Sequence, residues 1–230
     1  MVHLAKSPHK SFPVLAPLDR VGWLARQNYD LREWFAAHGR WRSYPAGKAI
    51  YLHGDAPDAM YGLAQGAVEI EFAPVGSEPV TLHRAESGFW IGESALLAEA
   101  PRIISLNAAV NCRMFRVPAS ALRQLVAEEP RHWQAFYELT HSNTLMALTL
   151  LAEALSLTPR ARLSRLLLRL SEASAEIHAN QDDLGRVLGM TRSSLRRSLN
   201  VLIAERTIAT GYGRITILDR ERLQSFCDEA

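Results

Sequence analysis

The stretch Gln181–Leu202, QDDLGRVLGMTRSSLRRSLNVL, constrains this chain more than any other. It holds two short apolar-periodic segments split by Gly189. From Arg192 onward, at about 100° per residue, Leu195, Leu199 and Leu202 fall within roughly 60° of one another and form a stripe to bury. Ser193, Arg196, Arg197 and Asn200 spread over about 100° on a different side, with no acid among them. A helix face that only meets water usually mixes Glu with Lys or Arg at four-residue spacing. This one does not. Upstream, Asn180 stands where a helix cap should, with Asp182 and Asp183 in the first turn near the positive end of the helix dipole. Leu184, Val187 and Leu188 have core-facing spacing. Gly189 can end that helix in the left-handed conformation, and Thr191 can cap the next. Two helices joined by a three-residue turn containing Gly are a helix-turn-helix. Its second helix enters the major groove with its N-terminal residues at base edges, where the arginine fork matches guanine O6 and N7.

The whole chain fits that reading. Its 230 residues allow one large domain or two smaller ones with ample core. Net charge is only +2, so the chain is no polycation. The charge is uneven: residues 158–230 hold 12 Arg against 9 acids, and residues 1–157 hold 14 Lys plus Arg against 15 acids. Cys112 and Cys227 make no zinc or iron–sulfur pattern, so no metal or cluster is expected and two lone thiols in a reducing compartment are the default. No apolar run is long enough to span a membrane, and the N-terminus lacks an apolar secretory core. The expectation is a cytoplasmic protein with no membrane partner.

Along the chain, residues 1–19 have little periodicity and read as a flexible arm. Residues 20–38 read as helical, anchored by Trp23, Leu24, Leu31, Trp34 and Phe35. From 41 to about 117 short extended runs are broken by turn signals such as YPAGK, HGDAPD and PVGSEP, with period-two alternation in AVEIEF and VTLHR. This pattern predicts a β-roll or barrel, placed in a domain spanning 20–129. Pro130 opens a long helix, 130–157. In it Trp133, Phe136, Thr140, Asn143, Ala147, Leu150 and Ala154 alternate three and four apart, the spacing of a coiled-coil seam. A second apolar stripe, around Phe136, Leu139, Leu150 and Leu151, suits a helix packed both on its own roll and on a partner subunit. Thr158-Pro159 reads as a cap with Pro at the first helical position, which sets a hinge at 156–159. The last domain, 158–230, ends with TIATGYGRITIL as a hairpin and a short helix near 219–228.

The order of parts, helix, β-roll, long helix and winged helix-turn-helix, resembles the bacterial CRP/FNR family of transcription regulators, which includes the cyclic AMP receptor protein. The resemblance covers roughly residues 20–225. PAGKAIYLHGDAPDAMYGLAQGAVEI resembles the first half of the family's roll, with Gly47, Gly54, Asp55, Tyr61 and Gly66 at its turns. GFWIGESALLAEAPR resembles the phosphate-binding cassette, and NQDDLGRVLGMTRSSLRRSLNVL the DNA-binding helices. What the resemblance implies is an α+β chain: a cyclic-nucleotide-binding-like β-roll, a dimerisation helix and a winged helix-turn-helix. Its partners would be a second copy, double-stranded DNA and RNA polymerase. DNA contacts would fall on Arg192, Ser193 and Arg197, with Gln181 near the DNA backbone. Thr191, Arg196 and Asn200 complete that face. Gly92, Glu93, Ser94 and Arg102 match the cassette.

Two departures stand out. Ile103 and Ile104 follow Arg102 where nucleotide-binding members usually carry Ser or Ala. A filled pocket explains this as well as a changed ligand does, and Glu93–Arg102 would then be an internal ion pair pinning the cassette. Ser193 stands where many members carry Glu, so a palindromic site of unfamiliar half-site sequence is expected. Three functions are in play. The first is a homodimeric regulator reading a palindrome, open to control by a small effector in the roll. The second is a sensor acting through protein partners without DNA. The third, an enzyme of the cupin type, needs a His-x-His followed by Glu or His, and the sequence has none.

Overall fold

Alternating short strands make two curved layers here. A computed structural model describes residues 12–73, 78–171 and 175–229. Its contacts divide the chain into two units, Met1–Pro79 with His83–Thr144, and Val80–Leu82 with Leu145–Ala230. After helix α1 (Tyr29–His38) come β1 (Arg40–Tyr44), β2 (Ala49–Tyr51), β3 (Ala59–Gln65), β4 (Val68–Phe72), β5 (Val80–Ala85) and β6 (Trp90–Ile91). A short helix α2 (Glu93–Leu97), strands β7 (Ser105–Ala108) and β8 (Cys112–Pro118), and helix α3 (Ala119–Glu128) follow. The strands form two four-stranded sheets, ordered β1-β8-β3-β6 and β2-β7-β4-β5. Period-two alternation sends Tyr61, Leu63, Val68, Ile70, Leu106 and Met114 into one shared interior, as a half-buried strand requires.

The outer face of the roll is covered by helices. Trp23, Leu31, Phe35, Trp90, Phe115, Leu122 and Phe136 form one buried cluster. The Trp23 ring lies 5.6 Å from each of Phe35, Trp90 and Phe136, and its Nε1 donates to the Ala135 carbonyl at 2.9 Å. That bond satisfies the indole while its ring is buried. Gly62 is required on β3, because a Cβ there would lie 2.5 Å from the Trp90 ring.

The arm expected at 1–19 is corrected from Phe12 onward; residues 1–11 lie outside the described residues. Pro13–Leu15 form a 3-10 turn, and Leu15 and Leu18 are fully buried in the same cluster. Two apolar side chains four or fewer apart are enough to dock a short segment, even without helical periodicity. The helix expected over 20–38 is broken: a 3-10 turn at Leu24–Arg26 precedes α1, where Asn28 accepts from the Leu31 N–H at 2.9 Å.

After a 3-10 turn at Pro130–His132, helix α4 runs Trp133–Ser156. The second unit then adds α5 (Pro159–Leu170), β9 (Glu176–His178), α6 (Gln181–Leu188), α7 (Arg192–Ala204), β10 (Ile208–Gly211), β11 (Arg214–Ile217) and α8 (Arg220–Ser225). The three strands form one sheet, β10-β11-β9, so the expected hairpin gains a third strand. Leu163, Leu167, Leu184, Leu195, Leu199, Leu202 and Ile215 make its core. The division between units falls inside α4 rather than at the expected 156–159 hinge. The reason is local: Glu153, nearly buried on α4, pairs with Arg165 at 3.3 Å and Arg169 at 3.0 Å of α5. These bonds hold the end of α4 to the second unit. Among the described residues no helix is long and apolar enough to cross a membrane.

Candidate nucleic-acid interface and cassette

Local chemistry sets the helix-turn-helix as its sequence directs. Asn180 accepts from the Asp183 N–H at 2.8 Å, Gly189 takes φ 58°, and Thr191 accepts from the Ser194 N–H at 3.2 Å. Leu195, Leu199 and Leu202 are buried, and this leaves Arg192, Ser193, Arg196, Arg197 and Asn200 exposed on one side of α7. Those five side chains line one open recess. Gln181 is exposed at the start of α6. Among the described residues Arg196, Arg197 and Asn200 have no ion pair or side-chain hydrogen bond, while Arg192 is engaged by Asp182. Ser198, buried where an apolar residue is common, satisfies its hydroxyl by donating to the Ser194 carbonyl at 3.1 Å, so the helix packs without an orphaned polar group.

Two features of this unit escaped the sequence reading. The sequence marks Asp182 only as a first-turn acid; its pairing with Arg192 crosses the turn and needs the angle between two helices. Tyr212 is fully exposed at the tip of the β10–β11 hairpin. An aromatic between two glycines in a hairpin was the available signal for it.

The cassette is built differently from the expectation. Gly92 takes φ 105°, and a Cβ there would lie 2.7 Å from Arg102 Nη1. Arg102 is 2% exposed. Its Nη1 donates to the Gly92 carbonyl at 3.2 Å and its Nη2 to the Ala59 carbonyl at 2.5 Å. Nη2 also lies 3.3 Å from Asp58, and the guanidinium stacks 4.2 Å from the Tyr51 ring centroid. Burial would raise the Asp58 carboxyl, but the bonds and charges of Arg116 and Arg102 outweigh it and hold the group below its usual range. The Glu93–Arg102 ion pair expected from the sequence is therefore corrected: Arg102 pairs with Asp58. Glu93, also 2% exposed, turns to α4, where Thr140 and Asn143 donate to its Oε1 at 3.1 and 3.2 Å. Its Oε2 has no partner, and burial pushes its carboxyl up from the usual range. Ser94, next in α2, is exposed. Ile104 packs toward the roll interior, and Ile103 points to solvent, 65% exposed. As they stand, the two cassette residues that would meet a cyclic nucleotide are engaged within the protein. The arginine that would meet the phosphate is capped by a carboxylate and two carbonyls, and the glutamate that would meet the ribose faces a helix.

On α4 the residues of the expected seam divide between their own unit and solvent. Phe136 is fully buried in its own unit. Thr140 and Asn143 face Glu93, and Asn143 Nδ2 also donates to the Trp90 carbonyl at 3.2 Å. Trp133 is half-exposed, Ala147 exposed and Leu150 half-buried. Each exposed ridge position lies one residue further on: Tyr137, His141, Thr144, Leu148, Leu151 and Leu155. One residue is about 100° of helix rotation. Both stripes have three–four spacing, so periodicity alone could not choose between them. Cys112 and Cys227 are free and buried, and the described residues contain no group of His, Cys, Asp and Glu suited to a metal.

Comparison with known proteins agrees with this anatomy. Residues 41–129 match the cyclic nucleotide-binding domain, and residues 161–226 match the Crp-like helix-turn-helix domain. The transcriptional regulator SdrP of Thermus thermophilus is 26% identical over 196 residues, covering 81% of this chain and 93% of that protein. FixK2 of Bradyrhizobium japonicum superposes with a TM-score of 0.73 at 20% identity, over 84% of this chain and 98% of that one. The c-di-GMP responsive global regulator CLP of Xanthomonas campestris does so with 0.67 at 22% identity, over 83% and 99%.

Proposed function

Because the chain belongs to the CRP/FNR family of transcription regulators, we propose that it acts as a homodimer on a two-fold symmetric DNA site read by α7. The chain is not an enzyme; its helix-turn-helix is a DNA-binding domain. The observation that carries the proposal is the open face of α7, where Arg196 and Arg197 stand exposed with no acid paired to them among the described residues. Two copies would set their α7 helices in successive major grooves, about 34–36 Å apart. We assign the pairing surface to the exposed ridge of α4, since Tyr137, Leu148, Leu151 and Leu155 leave large apolar side chains in water along it, as a coiled-coil seam awaiting a partner would.

The roll, in this proposal, works without a cyclic nucleotide. A phosphate would have to take Arg102 from Asp58, Ala59 and Gly92 and from the face of Tyr51, and the two buried carbonyls would be left short of a donor. The c-di-GMP response of the Xanthomonas relative is not carried over, for the same reason. The test is selection from random duplex DNA with the purified protein and no nucleotide added. Enrichment of a palindrome is expected. Failure to enrich any sequence, with enrichment appearing only once cyclic AMP is supplied, would contradict the nucleotide-free reading. Failure under both conditions would contradict the DNA-reading role.

A further inference from the structure

Helix α7 carries no acid on its open face, yet one carboxylate reaches its first residue from the helix before it. Asp182 meets Arg192 side-on: Nε lies 3.1 Å from Oδ1, and Nη2 donates to Oδ2 at 3.2 Å. Contact at two points fixes the guanidinium plane and leaves Nη1 and a second Nη2 hydrogen free for another acceptor. The two side chains are 88% and 67% exposed, and an exposed pair of this kind contributes little to stability. Asp182 already serves folding as a first-turn acid of α6, and that role does not require the pairing with Arg192. The acid also has a cost, because it places negative charge beside a surface that must approach phosphates. Arg196 and Arg197 have no such partner among the described residues and keep their rotamer freedom, which binding must remove.

We infer that Asp182 is a positioning residue for base reading. It holds Arg192 in the orientation in which its free edge meets a guanine, so that Arg192 reads its base without first losing side-chain freedom. The inference rests on the proposed reading of α7 as the base-reading helix.

The test uses the full chain as wild type, D182N, D182E and R192A. A site is selected from random duplex DNA with the wild type. Affinities of all four proteins are then measured on that site, on its single base-pair substitutions and on unrelated duplex. R192A is expected to flatten preference at one base pair per half-site. D182N should lose about fivefold discrimination at that same pair, while binding unrelated duplex equally or more tightly because a like charge has gone. D182E should recover part of the discrimination. An acid with only a folding role would instead lower affinity at every position alike, and that result would overturn the inference. So would full discrimination in D182N alongside a flattened R192A. If R192A leaves every position unchanged, or the wild type selects no site, the reading of α7 itself fails and the inference with it.

Discussion

At the scale of single residues, Glu93 shows how a side chain can keep its place and change its partners. It is nearly fully buried, accepts two hydrogen bonds through Oε1 and leaves Oε2 without a partner. Burial raises its folded-state pKa, so the folded chain holds the proton more tightly than the unfolded chain. The cost of the buried charge therefore grows as pH rises from the unfolded pKa through the folded one. Glu93→Gln keeps an acceptor for Thr140 and Asn143 and removes the charge. Thermal unfolding should show E93Q more stable than wild type at neutral pH, by about 1 kcal/mol. The gap should close in acid, where the wild-type carboxyl is protonated in both states. A gap that widens in acid would contradict the sign. The presence of Gly92, Glu93 and Arg102 in the cassette was legible in the sequence, but their partners were not. Arg102 finds Asp58 across 44 residues, and no local pattern marks that pairing.

At the scale of elements, caps and turns were the most legible parts because their chemistry is local. Asn180, Gly189, Thr191 and Thr158 each do what their residue type dictates, with bonds inside three residues or a left-handed backbone. Helix α4 was legible as a helix but not in its orientation. It is apolar on more than one side, and which stripe faces the roll depends on Glu93 and Trp90, both far away in sequence. The ridge assignment is directly checkable. Leu148→Glu or Leu151→Glu, both at exposed positions, should give folded monomers in sedimentation and weaken DNA binding. Phe136→Ala should instead destabilise the fold itself, by about 3–5 kcal/mol. Dimers unaffected by both glutamate substitutions would place the interface elsewhere.

At the scale of the whole molecule, the order of parts in the sequence announced the architecture, and each unit has its own core. Less legible was where one unit ends. The Thr158-Pro159 signal marks a real helix start, yet Glu153 ties the preceding turns of α4 to α5, so a break in secondary structure is not a break in packing. The docked segment at Leu15 and Leu18 was missed for a related reason, since two buried leucines leave no period to detect.

The central claim is that the unpaired arginines of α7 read bases. The most direct measurement is the affinity of wild type and Arg197→Ala for the selected site and for unrelated duplex, across a range of salt and with no nucleotide. The account predicts that R197A loses about 1–3 kcal/mol on the selected site and relaxes preference at one base pair, with a smaller loss on unrelated duplex. Equal losses on both sequences, or none on either, would mean that Arg197 touches only phosphate or nothing, and would contradict the claim.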